Sequence, residues 1–383
     1  MMETALILGA SSESLHAIEI AREEGYHVVA LDGDPKAPGL KHADEAAVID
    51  IGDPANVISY LAGRRPTCIV PVPIGRALVS TGQLNDYWGI PGIGAFTATL
   101  CTDKYLFARF LCDRGLRRSR CYLESEVRSK PDLLGNMGLP LIVKPRFGSG
   151  SRGVSLLDTI DDVMDCLGEG DIVEEAFIGD EYGLDAIVVA GELSVLALRK
   201  KDNTPPPVCQ CIGYRTLANS DAAYAVVTPL IERIVDEIGL RDGLLHADVM
   251  VRGDEAFIIE MSGRPSGHSI HSHLVPLATG IDPIRLFLRL CVAHDGSMPP
   301  VHVKPLYMGF FDLGEGTVSH VPSRSDVEAV STVLDYDCRI KVGDHLGKTV
   351  DGGVTKLGRF VLSDDCGATR DRAAALLKLF EIS

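Results

Sequence analysis

Residues 243–265 read GLLHADVMVRGDEAFIIEMSGRP, and the periodicity of this stretch decides the fold. His246, Asp248 and Met250 alternate with Leu245, Ala247, Val249 and Val251, and residues 256–262 alternate again, the signature of a half-buried β-hairpin. Gly253-Asp254-Glu255 supplies the turn. A three-residue loop there sets Asp248 opposite Glu260 and His246 opposite Ser262. Carboxylates facing each other across a ladder repel, and a cation between them removes the cost. Oxygen donors without thiols suit Mg2+ or Mn2+, the companions of nucleotide phosphates. On this stretch alone, a solvated polar face or acids bonded to N–H groups is the other reading.

Composition bounds what surrounds the hairpin. A chain of 383 residues, 46% hydrophobic and 23% charged, predicts a soluble protein of two or three domains. The net charge of −16, from 37 Lys+Arg against 53 Asp+Glu, argues against a nucleic-acid surface while permitting a local basic pocket for a small anion. The first residues, MMETALILGASSES, have no basic segment, and their apolar run is too short for a signal peptide or membrane span. Ten cysteines include no CxxC pair, and the Cys209/Cys211 CxC lacks a second ligand pair, so the expectation is reduced thiols in a cytoplasmic protein.

Outward from the hairpin, residues 4–8, 26–31, 46–50 and 68–72 read as strands alternating with helices, the first helix spanning about 13–24. That order predicts a parallel, Rossmann-type sheet over residues 1–95. Gly9 is present, but Ser11 and Ser14 stand where a dinucleotide fingerprint needs glycines. Residues 90–95 read as a linker. A helix follows over 103–113, with Thr102 as a cap and Leu106, Phe107, Phe110 and Leu111 turned to a core. Lys104 stands in its first turn, against the helix dipole, where either a surface lysine or a phosphate ligand is reasonable. Residues 139–153, LPLIVKPRFGSGSRG, read as a strand ending at Lys144-Pro145 and a loop with Gly148, Ser149, Gly150, Ser151 and Gly153, leading into strand 154–157. Glycines and serines there can close N–H and O–H donors on an anion, with Lys144 and Arg146 supplying charge. No Gly-Lys-Ser/Thr opens a helix, so this is not a Walker loop.

Residues 171–190 read as two strands around Gly179-Asp180, with Glu174, Glu175 and Phe177 at the first strand's end and Glu181 after the turn. A return strand delivers Arg199, Lys200 and Lys201 ahead of a proline-rich loop over 203–208. A helix over 222–238 contains Pro229, which kinks it or marks its true first turn. After Arg264, the run Pro265-Ser266-Gly267-His268-Ser269-Ile270-His271-Ser272-His273 matches no zinc spacing and reads as a polar, substrate-facing loop. Residues 281–293 read as helix, and residues 299–383 as a small β-rich unit closed by a helix over 368–380.

In this order, the parts resemble the ATP-grasp superfamily over essentially the whole chain. The resemblance implies a fold of α/β and α+β parts: a Rossmann-like pre-ATP-grasp domain (1–95), an ATP-grasp domain (96–298, lid about 120–200) and a small β-rich C-terminal domain (299–383). In such enzymes two α+β lobes grip ATP. Lys104 and Lys144 match the lysines on the phosphates, and residues 148–153 the flap over them. Residues 174–177 match the adenine hinge, which acts largely through its backbone; Glu181 matches the ribose acid, and Lys200 or Lys201 can reach phosphate. Asp248 and Glu260 match the metal ligands and Arg264 the arginine that steadies an acyl phosphate. Two departures stand out: Ser262 replaces the common asparagine, and the first metal acid is an aspartate.

His246 and the Arg-Pro-Ser-Gly continuation (Arg264, Ser266, Gly267, then His268) are similar to the L-amino acid ligase and carnosine synthase branch, whereas the Asp-Gly-Asp-Pro at 32–35 is similar to purine-biosynthetic members. The resemblance implies a carboxylate–amine ligase using ATP and Mg2+ or Mn2+, forming an amide through an acyl phosphate on amino-acid-like substrates, as a homodimer. A purine-pathway enzyme acting on a ribonucleotide amine, with Arg76 near its phosphate, is the alternative; a nucleotide-binding regulator without turnover is the rival from another class. The loops 75–84, 205–214 and 267–273 choose the substrates.

Overall fold

The computed structural model describes residues 3–383 apart from 149, 151, 206–209, 331, 349–352 and 365–367. It divides into two compact units. The first joins Met1–Arg118 with Gly183–Leu198 and Ala222–His302; the second joins Ser119–Tyr182 with Arg199–Asp221 and Val303–Ser383. Both are discontinuous in sequence, so neither corresponds one-to-one to the segments 1–95, 96–298 and 299–383.

In the first unit, strands Thr4–Leu8, His27–Asp32, Glu45–Val48 and Cys68–Ile69 pair in parallel, in the order third, second, first, fourth. Leu6, Leu8, Val29, Leu31 and Ile69 bury against Val57, Leu61 and Leu84, which is why the central strands read as unbroken apolar runs. The fourth strand stops at Ile69, short of the expected 72, because Pro71 and Pro73 carry no N–H for a ladder. Chain order reverses between the first and fourth strands, a topological switch point. The Asp32 carboxylate accepts from Ala10 N at 2.6 Å and Asp34 N at 2.8 Å, so its oxygens hold the loop itself.

Helix Leu78–Trp88 ends at Gly89 (φ +59), and helix Ala95–Thr102 follows after a tight turn. At Gly82 a Cβ would lie 2.7 Å from Gly94 O, so only glycine lets the two helices meet this closely. Thr102 ends that second helix, its hydroxyl donating to Ala98 O. The cap of helix Lys104–Asp113 is therefore Asp103, not Thr102; its carboxylate accepts from Tyr105 N and Leu106 N, both at 3.1 Å. Phe107, Ala108 and Leu111 face the core, while Leu106, expected there, is 37% exposed because it sits on the flank of the stripe. Helix Ala222–Ile238 buries Val227, Ile231, Ile234, Val235 and Ile238 beside the 243–262 hairpin, and Pro229 lies inside it, past its first turn.

The second unit contains an antiparallel sheet of Cys121–Leu123, Asp171–Glu175, Leu141–Pro145 and Ser155–Leu157, in that order. Its core is Val127, Leu134, Leu141, Val143, Val163 and Val173. A further antiparallel run, Cys211–Thr216, Leu306–Phe310, Gly358–Ser363 and Val333–Cys338, buries Tyr307, Phe311, Phe360 and Leu376. The closing helix spans Thr369–Leu377. Among the described residues, no helix is long and apolar enough to cross a membrane.

Candidate active site

The hairpin pairs Gly243–Arg252 with Glu255–Ser262. Its register places Asp248 opposite Glu260 and His246 opposite Ser262, but by a different route from the three-residue loop. Arg252 faces Glu255 across a two-residue turn, with Gly253 at φ +62. The register then shifts between Val249↔Ile258 and Asp248↔Glu260, leaving Ile259 as a bulged residue. The bulge re-aims Glu260 at Asp248; without it, a two-residue turn would face Asp248 with Ile259.

Asp248 is 8% exposed and Glu260 half-buried. Lys104 Nζ lies 3.8 Å from Glu260 Oε2, and His246 Nε2 lies 3.5 Å from Asp248 Oδ1. His246 Nδ1 lies 4.0 Å from Asp185, an acid 4% exposed. Arg264 donates to Pro265 O at 2.7 Å; burial pushes its guanidinium down, while Glu260 and Asp248 hold it up. It stays charged, as arginine does in proteins. Cations thus gather at both carboxylates.

Two carboxylates and the Ser262 hydroxyl form a hard-oxygen donor set that fits Mg2+ or Mn2+. Among the described residues, no group of three or more His, Cys, Asp or Glu could hold a metal alone. Mg2+ ordinarily keeps several waters and is bound through one or two protein carboxylates together with substrate phosphate.

The loop after Arg264 departs from expectation at His271. This side chain is 1% exposed, not substrate-facing, and its Nδ1 lies 2.6 Å from Ser266 O. Burial lowers its pKa to about 4, with His16 acting in the same direction and Asp185 and Asp282 opposing. His268 and Ser269, both half-buried, adopt φ of +56 and +59, and Ser269 N donates to Glu13 at 3.3 Å. Ser266 is buried, and Gly267 lies against Pro73.

The unfolded chain binds a proton at His271 below about pH 6.5, whereas the folded one does so only near 4. Stability is therefore lost as pH falls through that window, by up to about 3 kcal/mol. His271→Asn, which keeps a donor for Ser266 O, should flatten the pH dependence of the urea midpoint between pH 7 and 4. Equal slopes in parent and variant would show that His271 does not titrate there.

In the second unit, Lys144 and Glu174 are 5% and 3% exposed and meet at 2.5 Å. Ile142 pairs with Glu174 and Lys144 with Ile172, so strand order alone brings the two charges together. Glu175 accepts from Arg120 N at 2.8 Å and Gly138 N at 3.0 Å. Both glutamates are thus engaged within the protein, and Phe177, just past the strand, is half-buried. Leu141 pairs with Leu157 and Val143 with Ser155, making the glycine loop a hairpin connection; Gly148, Gly150 and Gly153 adopt φ of +140, +72 and +68. Ser149, Ser151 and Cys209 lie outside the described residues.

Glu181 accepts from Lys201 at 2.7 Å and Asn203 at 2.5 Å, while Lys200 meets Asp180 at 2.7 Å. Sequence reasoning passed over Asp103, Asp185 and Asn203. Asp185 carried a signal, as a lone acid in the apolar run GLDAIVV; Asn203 carried none, because its partner is 22 residues away.

Residues 101–268, which include Lys104, Lys144, Glu181, Asp248, Glu260 and Arg264, match the family model of the ATP-grasp domain. The chain carries an ATP-grasp domain. A formate-dependent phosphoribosylglycinamide formyltransferase of Francisella tularensis subsp. novicida is 24% identical over 327 residues, 75% of this chain and 76% of that protein. The L-amino acid ligase from Bacillus licheniformis has a TM-score of 0.82 at 17% identity, covering 100% of this chain and 98% of the other. N5-carboxyaminoimidazole synthetase from Staphylococcus aureus, complexed with ADP, has a TM-score of 0.75 at 16% identity, covering 98% of each chain. These likenesses establish a mixed α/β ATP-grasp fold.

Proposed function

We propose that this ATP-grasp enzyme phosphorylates a small carboxylate with ATP and passes the acyl group to an amine carried by a ribonucleotide, as the name of its formyltransferase relative describes. The facing pair Asp248 and Glu260, with Lys104 and Arg264 beside it, carries the phosphoryl-transfer part of this reading. The substrate part rests on sequence relationship across 75% of the chain, which concerns residues, whereas 17% identity to the amino acid ligase speaks for fold alone. Asp248, Glu260 and Ser262 would hold Mg2+, which when bound offsets charge on the transferring phosphoryl group. Lys144 and Lys104 would neutralise phosphate oxygens, with Gly148, Gly150 and Gly153 letting backbone close on them. Arg264 would orient the acyl phosphate. No protein nucleophile is needed.

A second reading, ligation of two amino acids, is favoured by one observation. Glu13 and Asp185 stand beside Arg264 and His246, acids better suited to an ammonium group than to a ribose phosphate.

Phosphate release with ATP, Mg2+ and candidate pairs separates the readings: formate with glycinamide ribonucleotide, or paired amino acids. Release that depends on the ribonucleotide supports the first, and release that depends on amino acids moves the case to the second. In either case, a carboxylate labelled with heavy oxygen should deliver one labelled oxygen to inorganic phosphate, since the amine displaces an acyl phosphate. Label in AMP, or label wholly retained in product and unreacted acid, would overturn the acyl-phosphate route.

A further inference from the structure

Strand Glu192–Asn203 places two adjacent lysines in different surroundings, because successive side chains leave a strand on opposite faces. Lys200 meets Asp180 in an open pair, the side chains 34% and 59% exposed. Lys201 meets Glu181 in a covered one, 10% and 17% exposed. Asn203, two residues on and therefore on the same face as Lys201, donates to the other oxygen of Glu181 at 2.5 Å. Each carboxylate oxygen thus has one donor from this strand. A carboxylate accepts about four hydrogen bonds in all, so each oxygen retains room for another. Two further donors at that spacing are what the vicinal hydroxyls of a ribose present.

We infer that Lys201 and Asn203 are positioning residues of a ribose-binding carboxylate, Glu181. The inference rests on the nucleotide reading of the second unit proposed above. Lys201 belongs to the covered pair and Lys200 to the open one, so loss of Lys201 would leave a largely covered acid with fewer partners, whereas Lys200 can leave an exposed one at little cost. Lys201 and Asn203 instead fix the plane of the Glu181 carboxylate before a nucleotide arrives, and charge-assisted hydrogen bonds of this kind are the stronger and more directional ones.

The test is equilibrium binding of ADP, 2′-deoxyADP and 3′-deoxyADP to the full chain by titration calorimetry. The parent should prefer ADP over either deoxy nucleotide by roughly tenfold, the worth of one hydrogen bond to a charged group. Lys201→Met and Asn203→Ala should each cut that preference to about twofold, leaving deoxy-nucleotide affinity little changed. Asn203→Ala keeps the ion pair, so it reports even if Lys201→Met unfolds; urea midpoints of both variants identify that case. If Lys201→Met weakens all three nucleotides by one common factor and keeps the preference, Lys201 binds phosphate and the inference is overturned. Loss of preference in Glu181→Gln, with retention in both other variants, overturns the positioning role alone. Retention in Glu181→Gln overturns the ribose reading of Glu181 itself, and the inference with it.

Discussion

Asp248→Asn and Glu260→Gln should each lower turnover by roughly 10²–10³-fold while leaving the protein folded. The two acids face each other in register, Asp248 almost buried, with Lys104 3.8 Å from Glu260 and Arg264 held up electrostatically by both. An amide isostere keeps shape and some hydrogen bonding but removes a charge that a divalent cation needs. The same change relieves repulsion across the ladder and loses some attraction to the nearby cations. These effects oppose, so the melting temperature in metal-free buffer should stay within about 3 °C of the parent. Phosphate release and thermal melts, measured on the same preparations, check both halves. Near-parental turnover in either variant removes the metal assignment. A collapse in melting temperature would instead make the acids structural counter-ions for Lys104 and Arg264.

The second large effect is at Lys144. Lys144→Met strips the ammonium from a Glu174 carboxylate that is 3% exposed. Breaking a buried pair from one side costs about 3–5 kcal/mol, whereas replacing both partners by apolar groups is often neutral. The single variant should therefore melt on the order of 10 °C lower, and Lys144→Met combined with Glu174→Leu should recover most of that loss. Turnover should stay abolished in both, since the charge that would meet phosphate is gone in each. Recovery of turnover along with stability in the double variant would show that Lys144 serves only as the counter-ion of Glu174.

The alternation in residues 243–265 is local, and it was enough to pair Asp248 with Glu260, because a strand exposes every second side chain whatever surrounds it. Gly148, Gly150 and Gly153 between two apolar runs were legible for the same reason, as was the order of strands and helices that makes the first sheet parallel. What periodicity cannot carry is a single extra residue. The bulge at Ile259 and the two-residue turn cancel in their effect on register, so a wrong loop length returned the right facing pair.

Partners remote in sequence were decided by tertiary structure alone. Lys144 and Glu174 are joined because strand Asp171–Glu175 lies beside Leu141–Pro145, a neighbour relation that no spacing encodes. The difference between Lys200 and Lys201 rests on which face of the strand is covered, and both faces read as polar in sequence. His271 reads as one more polar residue in a histidine loop, yet it is buried and its pKa falls to about 4, since burial depends on what packs over a side chain. Local patterning fixes which face a residue occupies; the energy of a charge on that face depends on the dielectric and partners brought there by chain segments far away in sequence.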